Sequence, residues 1–125
     1  MSEFQGNAVT WFEIPTRDFT RATNFYEQLL EKKLIPYGDG ISYALFPSTE
    51  NEVVGALVQR PGHDSCNNGS LIYLNVDGQL DATLERAQKL NAKIVTPRMQ
   101  VPGGKSFFAH FEDSEGNRIG LHSRT

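Results

Sequence analysis

The chain repeats itself, and that limits its fold more than any other feature. An alternating strand running into a capped helix occurs at Trp11-Phe-Glu-Ile-Pro-Thr-Arg-Asp-Phe. It recurs roughly 60 residues later, at Ile72-Tyr-Leu-Asn-Val-Asp-Gly-Gln-Leu, and the strands that follow come in the same order. Each unit holds one amphipathic helix and several hairpin-linked strands. That pattern predicts an α+β fold of two tandem β-α-β-β-β modules, not a parallel α/β array. The 125 residues suit one domain. They divide into module one (8–60), a polar linker (61–69) and module two (70–123).

Local patterns place the elements. Val9–Ile14 is β-branched and aromatic, as a strand requires. Asp18 caps the helix that follows, and Phe19, Ala22, Phe25, Tyr26, Leu29 and Leu30 form its apolar face. Leu34–Tyr37 reads as an edge strand because it contains Pro36. Asp39-Gly40 is a turn, Ile41–Phe46 a strand, Pro47–Asn51 a loop and Val53–Gln59 a strand. In the second unit Leu71–Val76 is a strand, and Asp77-Gly78 leads into a helix built on Leu80, Leu84, Ala87 and Leu90, ended by Asn91. Lys93–Thr96 reads as a short strand and Pro97–Lys105 as a loop. Phe107–Glu112 and Arg118–His122 pair across the turn Asp113–Asn117.

The remaining totals exclude classes. Net charge is −3 with no basic block, so nucleic acid has no electrostatic footprint to meet. No apolar run approaches the ~20 residues of a membrane span. Met1-Ser-Glu-Phe-Gln-Gly has neither a basic nor an apolar secretory region, and Cys66 is the single cysteine, so a cytoplasmic location is expected.

The segments Asp18-Phe-Thr-Arg-Ala-Thr-Asn-Phe-Tyr26 and Glu112-Asp-Ser-Glu-Gly-Asn-Arg-Ile-Gly-Leu121 carry a resemblance. Together they resemble the vicinal oxygen chelate superfamily, which includes lactoylglutathione lyase, bleomycin-resistance proteins, methylmalonyl-CoA epimerase and extradiol dioxygenases. The resemblance implies curved mixed sheets forming a shared cleft, a small-molecule ligand and a homodimer. It also implies four metal-ligand positions. These fall on Trp11, the window Val54–Leu57, Leu71 and Gly120, where no side chain ligates a divalent ion. No cofactor is therefore expected at the usual site.

Strand alternation assigns the faces. Phe12 and Ile14 turn to the first helix, leaving Trp11 and Glu13 on the cleft side. Ile72, Leu74 and Val76 turn to the second, leaving Leu71, Tyr73 and Asn75. On the last hairpin Glu112 stands opposite Arg118, as a predicted ion pair, with His110 opposite Gly120 and Phe108 opposite His122. The expected ligand-binding residues are Trp11, Tyr43, Tyr73, Asn75, Phe108, His110 and His122. Glu13 is the candidate catalytic base. Any metal would need a non-standard set of His110, His122 and Glu13. Three functions follow: a cleft protein for a small organic ligand without the usual metal site, a lyase or isomerase acting next to a carbonyl, or a subunit that acts only through protein contacts.

Overall fold

The computed structural model describes residues 2–38, 42–49 and 53–125. Among them are eight strands and two helices in the order β1 (Trp11–Pro15), α1 (Phe19–Leu30), β2 (Ile35–Pro36), β3 (Tyr43–Leu45), β4 (Val54–Val58), β5 (Tyr73–Asn75), α2 (Leu80–Lys89), β6 (Lys93–Gln100), β7 (Phe107–Glu112) and β8 (Arg118–Ser123). The turn expected at Asp39-Gly40, the residue Ile41 and the end of the loop at Glu50-Asn51 lie outside the described residues.

The strands form two four-stranded sheets, ordered β1-β4-β3-β2 and β5-β8-β7-β6. In each, the first strand pairs parallel with the last, and the remaining pairs are antiparallel. The repeat read in the sequence is thus a repeat of topology. One helix packs on each sheet. Ile14, Leu57 and Ala44 meet Ala22, Phe25, Tyr26 and Leu29 in one continuous core with Leu74, Leu80, Ala109, Phe111, Ile119 and Leu121. Arg86 of α2 ties the helices together. Its Nε donates to the carbonyl of Leu29 at 2.7 Å, and its guanidinium lies 3.3 Å from Glu31. No helix among the described residues is long and apolar enough to cross a membrane.

Asp18 caps α1 as expected, accepting from the Arg21 N–H at 3.0 Å. Asn91 sits just past α2 in the left-handed region (φ 63°), which asparagine tolerates. Two expectations change. The second helix has Gln79 at its N-cap with no side-chain hydrogen bond. β6 runs on through Pro97 to Gln100, into what reads as loop. It is the edge strand, so the N–H that Pro97 lacks need not pair, and two register shifts at Thr96 absorb the irregularity.

The segment Asp113–Asn117 is a clamp as well as a turn. Asp113 is buried, and its Oδ1 accepts the N–H groups of Glu115 (2.9 Å) and Asn117 (2.8 Å). Gly116 completes the turn at φ 88°, a conformation that side chains resist. The Tyr26 hydroxyl, wholly buried on α1, donates to Asp113 Oδ2 at 2.7 Å. Asn117 donates to the carbonyl of Pro15 and accepts from the Cys66 N–H. Glu115 Oε1 accepts the N–H groups of Arg17 (2.8 Å) and Asp18 (2.6 Å), and Arg21 grips both of its oxygens. Burial pushes Asp113 above its ordinary range despite the Tyr26 and Asn117 bonds. Burial also opposes ionisation of Glu115, but Arg21 and the helix N–H groups outweigh it and hold that carboxyl below its usual range. The motif pair is therefore what fastens α1 to the β7–β8 hairpin.

Candidate functional site

Each sheet turns a second face away from its helix. On the first sheet the register sets Glu13 beside Ala56 and Leu45, and Pro15 beside Val58 and Tyr43. Arg60, two residues past β4, reaches across this face. Its two terminal nitrogens donate to the two Glu13 oxygens at 2.7 and 3.0 Å, a fork-to-fork pair. The same guanidinium donates to the Tyr43 hydroxyl at 2.8 Å and lies 3.3 Å from His63 Nδ1, which must accept because arginine only donates. The Trp11 indole donates to Glu13 at 3.1 Å. Arg60, together with the Trp11 bond, holds Glu13 below its ordinary range, and Glu13 in turn raises Arg60. A broad hollow of about 840 Å³ opens beside Arg60 and His63, against the turn from β1 into α1.

On the second sheet one row runs Tyr73, Gly120, His110, Thr96. The Tyr73 hydroxyl lies 2.7 Å from His110 Nε2. His110 Nδ1 lies 3.0 Å from Arg118 Nη2 and 3.1 Å from the Thr96 hydroxyl. Arg118 fixes the tautomer: Nδ1 accepts, so the ring proton sits on Nε2 and is donated to Tyr73. Burial first, and then the charge of Arg118, lower the His110 pKa and keep the ring neutral. The Phe108 ring flanks both, 5.4 Å from His110 and 6.4 Å from Tyr73.

Gly120 has a physical reason to be glycine here. A Cβ built on it would stand 2.6 Å from Tyr73 Cε1 and 2.8 Å from Cγ. The tyrosine ring fills the space a side chain at 120 would use.

The structure thus gathers Trp11, Glu13 and Tyr43 into one cluster and Tyr73, Phe108 and His110 into another. Asn75 is exposed and accepts the Asp77 N–H in a local turn. His122 pairs in register with Phe108 and Asn75. Among the described residues no three His, Cys, Asp or Glu side chains form a group able to hold a metal ion, so Glu13, His110 and His122 are not brought together as one. The predicted register of the last hairpin holds at every pair, but the Glu112–Arg118 ion pair does not form among the described residues, because Arg118 turns to His110. Arg60 and Thr96 are the residues that sequence reasoning passed over, and Arg118 was assigned to Glu112 and not to the site. Arg118 carried a signal, since alternation already set it on the same face as Gly120. Arg60 lies just beyond its strand, where alternation stops informing.

The fold and these two faces define an α+β protein of paired βαβββ modules. The model of the Glyoxalase/Bleomycin resistance protein/Dioxygenase superfamily matches residues 8–121, and the chain belongs to that superfamily. Solved structures agree on the fold. A glyoxalase/bleomycin resistance protein from Albidiferax ferrireducens T118 superposes with a TM-score of 0.77 at 16% identity, over 95% of this chain and 100% of that one. A family enzyme from Burkholderia phytofirmans PsJN gives 0.70 at 14%, over 93% and 98%. An integron cassette protein of V. cholerae gives 0.68 at 18%, over 99% and 100%. No curated protein matches the sequence.

Proposed function

We propose that the protein binds a small organic ligand against the sheet faces turned away from its helices, and that it does so without a divalent metal. One observation carries this reading: the best potential metal donors on those faces already hold arginines. Both Glu13 oxygens take Arg60, and His110 Nδ1 takes Arg118. A guanidinium at a donor atom repels a cation. At Gly120, the position where the superfamily resemblance implies a ligand, the Tyr73 ring leaves no room for one. The metal that the family implies therefore does not fit these residues.

The same faces suit an organic molecule. Trp11 is 40% and Tyr73 46% exposed, large aromatic surfaces left to solvent beside polar groups of defined orientation. The rival reading, a lyase or isomerase using Glu13 as base, requires Glu13 to leave Arg60. A carboxylate held ionised at low pKa is a poor base at neutral pH. The proposal includes a homodimer, supported by the exposed apolar residues Val9, Trp11, Val53 and Tyr73, and a cytoplasmic location, supported by the free, exposed Cys66.

A thermal-shift screen of chelator-treated protein tests the reading. A ligand at 100 times its dissociation constant adds about 2.7 kcal/mol. We expect at least one class of small organic compound to raise the melting temperature with metals removed. Stabilisation that appears only on adding Zn, Ni, Mn or Fe would refute the metal-free part, and no shift by any class would refute the binding role.

A further inference from the structure

Arg21, Arg60, Arg86, Arg98 and Arg124 each meet a carboxylate; among the described residues Arg17 and Arg118 do not, and Arg17 Nε donates to the Ser65 hydroxyl instead. Glu112 stands directly opposite Arg118 in the β7–β8 register, and still no ion pair joins them. Arg118 Nη2 donates to His110 Nδ1 and reaches the Thr96 hydroxyl at 3.5 Å. Its Nε is the one buried side-chain nitrogen or oxygen among the described residues with no hydrogen-bond partner. Leaving an ionised donor unpaired in a buried place is costly, and proteins do so where something else completes the site.

A recess of about 230 Å³ lies against Arg118, walled by the loop from Cys66 to Leu71. It is smaller than the ~300–1,000 Å³ typical of drug-sized ligands, so it admits a small group. Further along the same face, Tyr73 accepts the His110 ring proton, which leaves its own hydroxyl hydrogen without a use in that bond. A donor therefore stands on either side of the His110 imidazole: the guanidinium beside the recess and the hydroxyl of the half-exposed Tyr73.

The geometry points to an anion site anchored by Arg118, which takes the carboxylate of a small organic acid while a second, neutral acceptor on that acid meets the Tyr73 hydroxyl. The body of the acid lies along the Tyr73 and Phe108 rings. A single guanidinium matches a single negative charge, which favours a carboxylate over a phosphate dianion. His110 is a positioning residue, holding Tyr73 and Arg118 on either side of one imidazole. This specifies the ligand class for the binding role proposed above and rests on that role.

Isothermal titration calorimetry on the full chain in metal-free buffer tests it, with 4-acetylbenzoate, its neutral counterpart 4-acetylbenzamide, and inorganic phosphate as probes. We expect the acid to bind about tenfold or more tightly than the amide, the scale of one charge-assisted hydrogen bond. Arg118→Gln should abolish that discrimination and Arg118→Lys should keep part of it. Tyr73→Phe should weaken 4-acetylbenzoate and leave plain benzoate unchanged. Phosphate should not displace the acid. The acid–amide comparison on the unmodified protein stands whether or not a variant folds. Equal binding of acid and amide, or discrimination that survives Arg118→Gln, overturns the anion site and leaves the binding role intact. Tighter binding of phosphate than of the acid also overturns it. No binding of either organic probe, beside a neutral compound found in the wider screen, has the same meaning. Silence in both experiments sinks both proposals.

Discussion

Substituting Gly120 by alanine is the sharpest probe of how the second sheet's outer face is built. Gly120 has no left-handed backbone angle, so alanine brings no backbone strain there. The whole cost is steric. The new Cβ would lie 2.8 Å from Tyr73 Cγ, an atom too near its own backbone to yield by a small tilt, so the ring must rotate away. Rotation gives up the hydrogen bond to His110, worth about 0.5–1.5 kcal/mol. It also gives up ring contacts with Phe108 and His110, worth about 0.5–1.5 kcal/mol. Tyr73 is half exposed, so the displaced ring moves into solvent instead of into the core, which bounds the loss at about 1–3 kcal/mol. With about 2.1 cal/mol/K of unfolding entropy per residue, a 125-residue chain loses about 4 °C of melting temperature per kcal/mol. Gly120→Ala should therefore lower Tm by roughly 4–12 °C in differential scanning calorimetry. A Tyr73→Ala background removes the obstacle, and there the same substitution should be nearly neutral. A Tm unchanged by Gly120→Ala, or an equal loss with and without Tyr73, would refute the reasoning.

Glu115→Ala removes the acceptor for two α1 N–H groups and the partner of Arg21. Arg21 is 53% exposed, so its share is discounted for solvent screening, and urea denaturation should show a loss of about 2–4 kcal/mol. A loss below about 1 kcal/mol would contradict the clamp. The His110 pKa is lowered from 6.5 in the folded protein, so the unfolded chain takes up that proton first. Its stabilising contribution is full above about pH 6.5 and is lost as pH falls toward the lower folded value. Asp113 acts in the opposite sense, so the comparison that isolates His110 is the Tm–pH curve against His110→Asn, which should be flatter as pH falls below about 6.5.

Most of the fold was legible because it rests on periodicity. Alternation on the Phe107–Glu112 and Arg118–His122 strands was enough to pair His110 with Gly120 and Phe108 with His122. Pro97 misled because proline argues against strand until the strand is known to lie at an edge. Polar pairing was legible only in part. Glu112 and Arg118 are neighbours across a hairpin, yet Arg118 prefers an imidazole two residues along the face. Glu115 reaches a helix start almost the whole chain away, and nothing in local pattern announces that. The motif that identified the superfamily is the clamp holding α1 to β8, so it spoke for fold and was silent on ligand. Of the residues that speak for chemistry, Arg60 stands outside it, and Arg118 lies within its second segment but takes no part in the clamp.

A ligand taken on the outer faces of the sheets with no metal must leave its mark on the residues of those faces. A ¹H–¹⁵N correlation spectrum of chelator-treated protein, titrated with a ligand found in the thermal-shift screen, tests this most directly. Amides in residues 71–75, 107–110 and 118–122 should shift, centred on Tyr73, His110 and Gly120. Perturbations confined to the α1 clamp around Glu115, or appearing only after a divalent metal is restored, would contradict metal-free binding on those faces.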